Sequence, residues 1–168
     1  MSTSDYKPIH ELALIESQEA LQQCLVRYPE LDTPETVEQL HAEIVSGIVV
    51  DPARAQRLAA VARWLADRLD DEYARGLADR SDGHLRYASA DYSGALRAYE
   101  LALQRFESLG RESDVAKTLT GAMQTLIYLG RDAQAMQFAD RARAIFEKEV
   151  DQLRLARLDS NVGNIFYR

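Results

Sequence analysis

Apolar positions recur at helical spacing along nearly the whole chain. Over residues 8–28, Leu14, Leu21, Leu25 and Tyr28 mark one stripe with Ile15 and Cys24 beside it, and Pro29 stops the run. The segment Asp32-Thr33-Pro34-Glu35 supplies a capping residue followed by a proline at the first helical position, and Asp51-Pro52 repeats the device. The pattern predicts helices over 52–69, 71–88, 91–109, 113–129 and 132–150, with a last one opening near Asp151. Gly110 and Gly130 each follow a leucine at a predicted helix end, where glycine closes a helix by turning left-handed. The apolar run Ile48-Val49-Val50 is too short and isolated to compete as a strand. Connections of a few residues make consecutive helices antiparallel hairpins. The expected class is all-α, with about eight helices.

A repeat runs through this pattern. Ala55, Ala95 and Ala135 stand forty residues apart, and Ala62, Ala102 and Ala142 keep the same spacing seven residues later. Small residues are needed where helices cross closely, so the recurring pair points to one helix–helix contact built three times. A fixed period in this range is the mark of a helical solenoid. In register, the units fall at 36–75, 76–115 and 116–155, with an incomplete one over 156–168, preceded by a capping region over 1–35. An α-solenoid of HEAT type has repeats of similar length and is the structural alternative.

Gly83 lies twelve residues before Ala95, and Tyr99 and Ala102 follow that alanine at +4 and +7. Eighty residues after Gly83, the chain reads Val162-Gly163-Asn164-Ile165-Phe166-Tyr167. These segments resemble the tetratricopeptide repeat (TPR) family, with Val162-Gly163 and Phe166 as the first-helix element and Ala95, Tyr99 and Ala102 as the second. Three features depart from that family: Glu107 and Glu147 stand where a terminating proline is usual, Met123 replaces the glycine of the third unit, and Ala139 replaces its aromatic residue. The first unit keeps the alanines but has Glu43 at the glycine position. The long period looks like that of repeats in large bacterial multidomain proteins, where a caspase-like peptidase domain of the CHAT type often follows. The recognisable first helix at 156–168 lacks a second, so the expectation is a fragment of a larger multidomain protein whose chain continues, with packing of this exposed helix on another subunit as the alternative.

The resemblance implies a right-handed superhelix whose first helices line a concave groove for a peptide or protein segment. The residues it places there are Arg80, His84 and Tyr87, then Lys117, Thr120 and Gln124, then Asp159, Asn164 and Tyr167. Amides and cations of this kind bind the backbone groups and carboxylates of an extended peptide. The expected function is a non-catalytic protein-interaction module whose partner is a protein, a peptide or a neighbouring domain. A regulatory receptor for a small signalling peptide is the alternative.

Composition narrows the partner classes. The 168 residues are 46% hydrophobic and carry a net charge of −7. Residues 1–75 hold 14 acidic and 7 basic side chains, and residues 76–168 hold 13 of each. Nucleic-acid binding needs a clustered basic surface. Here Arg141, Arg143, Arg154 and Arg157 are interleaved with Asp140, Glu147, Asp151 and Asp159, which makes an ordinary solvated face. Cys24 is the only cysteine, so no intrachain disulfide forms, and nothing reads as a signal peptide or membrane span. A cytoplasmic location is expected.

Candidate chemistry is sparse. His10, His41 and His84 lie far apart and lack zinc-ligand spacing. Cys24 sits on the apolar stripe as a packing residue. Asp70-Asp71-Glu72 reads as acidic charge favouring the next helix N-terminus, and Trp64 joins Leu58, Val61 and Leu65 on a core-facing stripe. No constellation of acid, base and nucleophile is present, so no catalytic residue, metal or cofactor is expected.

Overall fold

A computed structural model describes residues 9–15 and 17–166, with side chains over 11–15 and 17–163. Among the described residues the chain is all-helical. The helices are α1 (Ile9–Leu12), α2 (Gln18–Arg27), α3 (Pro34–Gly47), α4 (Pro52–Leu69), α5 (Glu72–Ala88), α6 (Tyr92–Ser108), α7 (Glu112–Tyr128), α8 (Asp132–Lys148) and α9 (Gln152–Phe166), with a 3₁₀ turn at Pro29–Leu31. Two compact units divide it at residues 81 and 82, within α5. In the first, α3 packs on α4; in the second, α7 packs on both α6 and α8, and α8 on α9.

The spacing is tighter than the forty-residue alanine ladder. From α4 onward each helix begins twenty residues after the last, at Pro52, Glu72, Tyr92, Glu112, Asp132 and Gln152. One backbone device sets that interval. Asp70, Ala90, Gly110, Gly130 and Val150 all have φ between 53° and 69°. At the last four, the left-handed residue donates its N–H to the carbonyl three residues back at 3.1 Å. The next residue donates to the carbonyl five back at 2.9 Å, as in Arg111 to Phe106 and Asp151 to Phe146. This double bond satisfies the orphan carbonyls of the helix end and reverses the chain. The following helix is then capped at once. The carboxylates of Asp51, Asp71, Asp91 and Asp151 accept from the backbone N–H three residues on, at 2.7–3.0 Å.

The alanines stand at matching positions in α4, α6 and α8, and all six are buried, at 2% exposure or less. Phe106, Leu126 and Phe146, three residues before the end of each helix cap, are also buried. The small residues permit close approach and the large ones fill the space that remains.

The N-terminal segment differs from its expected single helix. The chain breaks after Leu12, because the Ser17 hydroxyl accepts from Ala20 N–H at 3.2 Å and starts α2 afresh. Leu14 is consequently exposed, while Leu12 and Ala13 are buried. Arg57 Nε donates to the Ala13 carbonyl at 3.1 Å and Arg68 pairs with Asp32 at 3.1 Å, tying this segment to α4. Trp64 is only half-buried, with the Arg68 guanidinium 5.8 Å above its ring. Val150, expected inside a helix, is the residue that closes it.

Two predictions follow from the caps. Val150 is a β-branched residue held left-handed with 72% of its surface exposed, so Val150→Gly stabilises by about 1 kcal/mol and Gly110→Val destabilises by at least about as much, read by urea unfolding. The Gly94 N–H, and then Arg86, hold the Asp91 carboxyl below its ordinary range, and the Arg154 N–H does the same for Asp151. A depressed folded pKa stabilises above the unfolded value, near 4, and the gain is lost as pH falls through the folded one. The double variant Asp91→Asn with Asp151→Asn, which keeps the caps without charge, is thus less stable than the parent at pH 7 and equal to it near pH ~2.

Candidate functional site

The second unit is organised around Tyr99. Its position in α6, four residues after Ala95, buries the ring to 1% exposure, and two glycines make the room. A Cβ on Gly83 of α5 would fall 2.6 Å from the ring, and one on Gly121 of α7 would fall 3.0 Å from it. Both flanking helices thus lie close against Tyr99, α5 at Gly83 the closer of the two. The phenol reaches His84 Nδ1 at 2.9 Å, with the rings edge-on at 5.4 Å between centroids.

With that spacing fixed, three tyrosines meet at one end of these helices. Tyr87 of α5 and Tyr128 of α7 contact edge-to-face at 5.7 Å, and Tyr92 of α6 stacks on Tyr128 at 4.6 Å with a 10° interplanar angle. Tyr87 also meets Tyr92 edge-on at 5.8 Å. Such offset and T-shaped contacts are favourable beyond simple burial, yet Tyr128 remains 47% exposed. Lys117, Thr120 and Gln124 precede Tyr128 on the same stripe of α7, at i, i+3, i+7 and i+11. All three are half-buried. Lys117 Nζ lies 3.4 Å from Asp114 Oδ1, and Asp114 also accepts from Arg111 Nε at 3.1 Å. The Thr120 hydroxyl donates to the Ala116 carbonyl at 2.9 Å, leaving its lone pairs for another donor. The stripe thus offers a cation, a hydroxyl acceptor, an amide and an aromatic ring along one line.

The other expected groove residues are placed differently. Arg80, in the first unit, is buried at 5% exposure, and its Nε donates to His41 Nε2 at 3.1 Å. His41 Nδ1 lies 2.8 Å from Ser81 Oγ, and that hydroxyl donates to the Leu77 carbonyl at 2.9 Å. Both partners fix the His41 tautomer with the proton on Nδ1. Asp159 is exposed on α9 and pairs with Arg143 of α8 at 2.6 Å. The Asn164 side chain and Tyr167 lie outside the described residues. The structure therefore brings His84, Tyr87, Lys117, Thr120 and Gln124 into one unit, while Arg80 packs in the other.

Gly121, Tyr92 and Tyr128 went unread as site residues. The forty-residue register puts Met123 where Gly83 stands, and Met123 is buried in the core. In α7 the contact with the Tyr99 ring falls two residues earlier, at Gly121. The pairing of Leu129 with Gly130 marked this helix end, and Tyr128 immediately before it was the available signal.

The remaining candidates carry less chemistry. The arginines of α8 and α9 are largely neutralised, Arg141 by Glu107 at 2.7 Å, Arg143 by Asp159, and Arg154 by Asp151. A cleft of about 530 Å³ lies between Phe106, Val115 and Ile145, with Glu107, Arg111, Glu112 and Arg141 at its rim. Burial, and then Glu11, push the Cys24 thiol up, which keeps it protonated. Among the described residues no group of three or more His, Cys, Asp or Glu side chains could hold a metal, and no helix is long and apolar enough to cross a membrane. Against protein-family models, curated proteins and solved structures, the chain gives no match.

The Tyr99 arrangement makes a sharp prediction. Gly83→Ala forces the ring to move and costs about 1–3 kcal/mol, whereas in a Tyr99→Leu background, where the ring is absent, the same change costs much less. Denaturant unfolding of the four proteins in this cycle measures the coupling; strictly additive losses would break the claim that the glycine exists for that ring.

Proposed function

We propose that this protein is a TPR-like interaction module that binds an extended peptide or protein segment along the α7 stripe of its second unit. The observation that carries the reading is the line Lys117, Thr120, Gln124 and Tyr128, with Tyr87 against its aromatic end. These side chains are polar or aromatic, half-buried or exposed, and held by α6 through the Tyr99 contacts. An extended chain presents carbonyls, N–H groups and carboxylates at regular spacing, which an amide, a hydroxyl and a cation can meet while side chains lie on the tyrosines. The repeat architecture supports the same reading, since stacked hairpins produce a binding surface and the proposal assigns them no catalytic role. A cytoplasmic setting fits a sequence whose single cysteine can form no intrachain disulfide.

The test is a selection of random peptides displayed on phage against the immobilised chain. Clones enriched on the parent should be retained at least about tenfold less by Lys117→Glu combined with Gln124→Ala. Both sites are away from the fully buried core, so circular dichroism should show unchanged helicity. Enrichment that is equal on parent and variant places the binding surface elsewhere.

A further inference from the structure

Where the chain breaks between α1 and α2, a cleft of about 320 Å³ lies between α2 and α4, inside the first unit. Its walls are apolar, formed by Ile15 ahead of α2, Leu21 of α2, and Val61 and Trp64 of α4, with Gln18 and Arg57 in its polar lining. Charge singles out Arg57. Of the four arginines of α4, Arg54 pairs with Glu43 at 2.5 Å, Arg63 with Asp79 at 2.5 Å and Arg68 with Asp32 at 3.1 Å. Arg57 forms no ion pair among the described residues, although residues 1–75 carry 14 acidic side chains to 7 basic ones. Its one hydrogen bond there runs from Nε to the Ala13 carbonyl at 3.1 Å. That bond holds the guanidinium in place and occupies its side-on donor, which leaves the two Nη groups at the far end as a fork. Parallel N–H donors of this kind match a single carboxylate.

We propose that this cleft binds a small aromatic carboxylate, with the acid on the Nη pair of Arg57 and the ring against Trp64 and Val61. An apolar hollow with a few placed polar groups is the usual form of a small-ligand site, and this volume lies at the lower end of the range for such sites. It holds one ring and a short acid arm, not an extended chain. The Trp64 indole, half-buried with Arg68 over its ring, gives a flat wall on which a second ring packs offset or edge-on. The acid meets a cation whose position is already fixed in folding, so little side-chain freedom is lost on binding. The cleft belongs to the first unit and the α7 stripe to the second, so neither proposal rests on the other.

Trp64 is the only tryptophan of the chain, so its fluorescence reads the cleft directly. The probe is 3-phenylpropionate, titrated into the full chain with excitation where the probe does not absorb. A saturable change in emission is expected, with a Kd of about 1 mM or tighter. On the parent, 3-phenylpropionamide should bind at least about tenfold more weakly than the acid, and Arg57→Gln should bind acid and amide alike. That loss of discrimination is a result that general loosening of the fold would not give. Arg57→Gln also removes the bond to Ala13, so a second variant guards against misfolding. Ala60→Leu, at an exposed position of α4 that lines the cleft, fills it and abolishes the saturable change while helix content and melting temperature are retained. The proposal is overturned by no saturable change at about tenfold that probe concentration, by equal binding of acid and amide to the parent, or by undiminished binding to Ala60→Leu.

Discussion

Reversal of the backbone within three residues is the constraint on which the rest of the structure depends. A seventeen-residue helix is about 25 Å long, and a left-handed residue after it turns the chain back before any further rise is lost. Because the same closure falls at 70, 90, 110, 130 and 150, α5 to α8 have equal lengths and their ends come into line. That alignment brings Tyr87 of α5 level with Tyr128 of α7, although forty-one residues separate them. The cost is borne at three positions. Glycine adopts this conformation freely at 110 and 130, while Asp70, Ala90 and Val150 adopt it against their own preference. Two backbone hydrogen bonds hold this strain in place at Ala90 and Val150, and the buried Phe146 adds to them at the latter.

Within the second unit, Tyr99 converts the repeat into a surface. One ring, clamped between two glycines and hydrogen-bonded to His84, sets the separation of α5 and α7. It is a buried polar tip with a satisfied partner, so it fixes distance and rotation together, which an apolar side chain of the same volume would not. The residues that face outward from that scaffold are free to be polar without costing core stability. Rigid positioning of adaptable side chains is what a peptide-binding face needs, because the ordering entropy is then met in folding and not on association.

Much of this was legible in the chain, and the illegible part has physical reasons. The alanine ladder, the Thr33-Pro34 and Asp51-Pro52 starts, and the glycines at 110 and 130 are local signals, and local signals predict local geometry. The twenty-residue interval was hidden because Asp70, Ala90 and Val150 do the work of glycine without its signature. Gly121 was hidden because a contact between three helices does not respect sequence register. Arg80 shares a stripe with His84 and Tyr87, and the repeat resemblance, carried over through Gly83, placed all three in a groove. Its burial follows from His41 and Ser81, and no spacing rule couples a histidine to an arginine thirty-nine residues away.

The charge arrangement bears on how the proposed partner would be selected. Long-range steering needs an excess of one sign over a surface, and it weakens within a Debye length of about 8–10 Å at physiological salt. In the second unit, Arg141, Arg143, Arg154 and Lys148 each lie against a carboxylate on their own or the adjoining helices, so their fields largely cancel beyond the pair. Lys117 is likewise accompanied by Asp114, which Arg111 shares. A partner approaching this unit meets little net attraction at a distance. Recognition along the α7 stripe would then rest on contacts made after arrival: hydrogen bonds to Thr120 and Gln124, and burial against Tyr87 and Tyr128. Discrimination of that kind resides in the dissociation rate, since charge reversal at a screened lysine alters encounter far less than removal of a tyrosine alters residence.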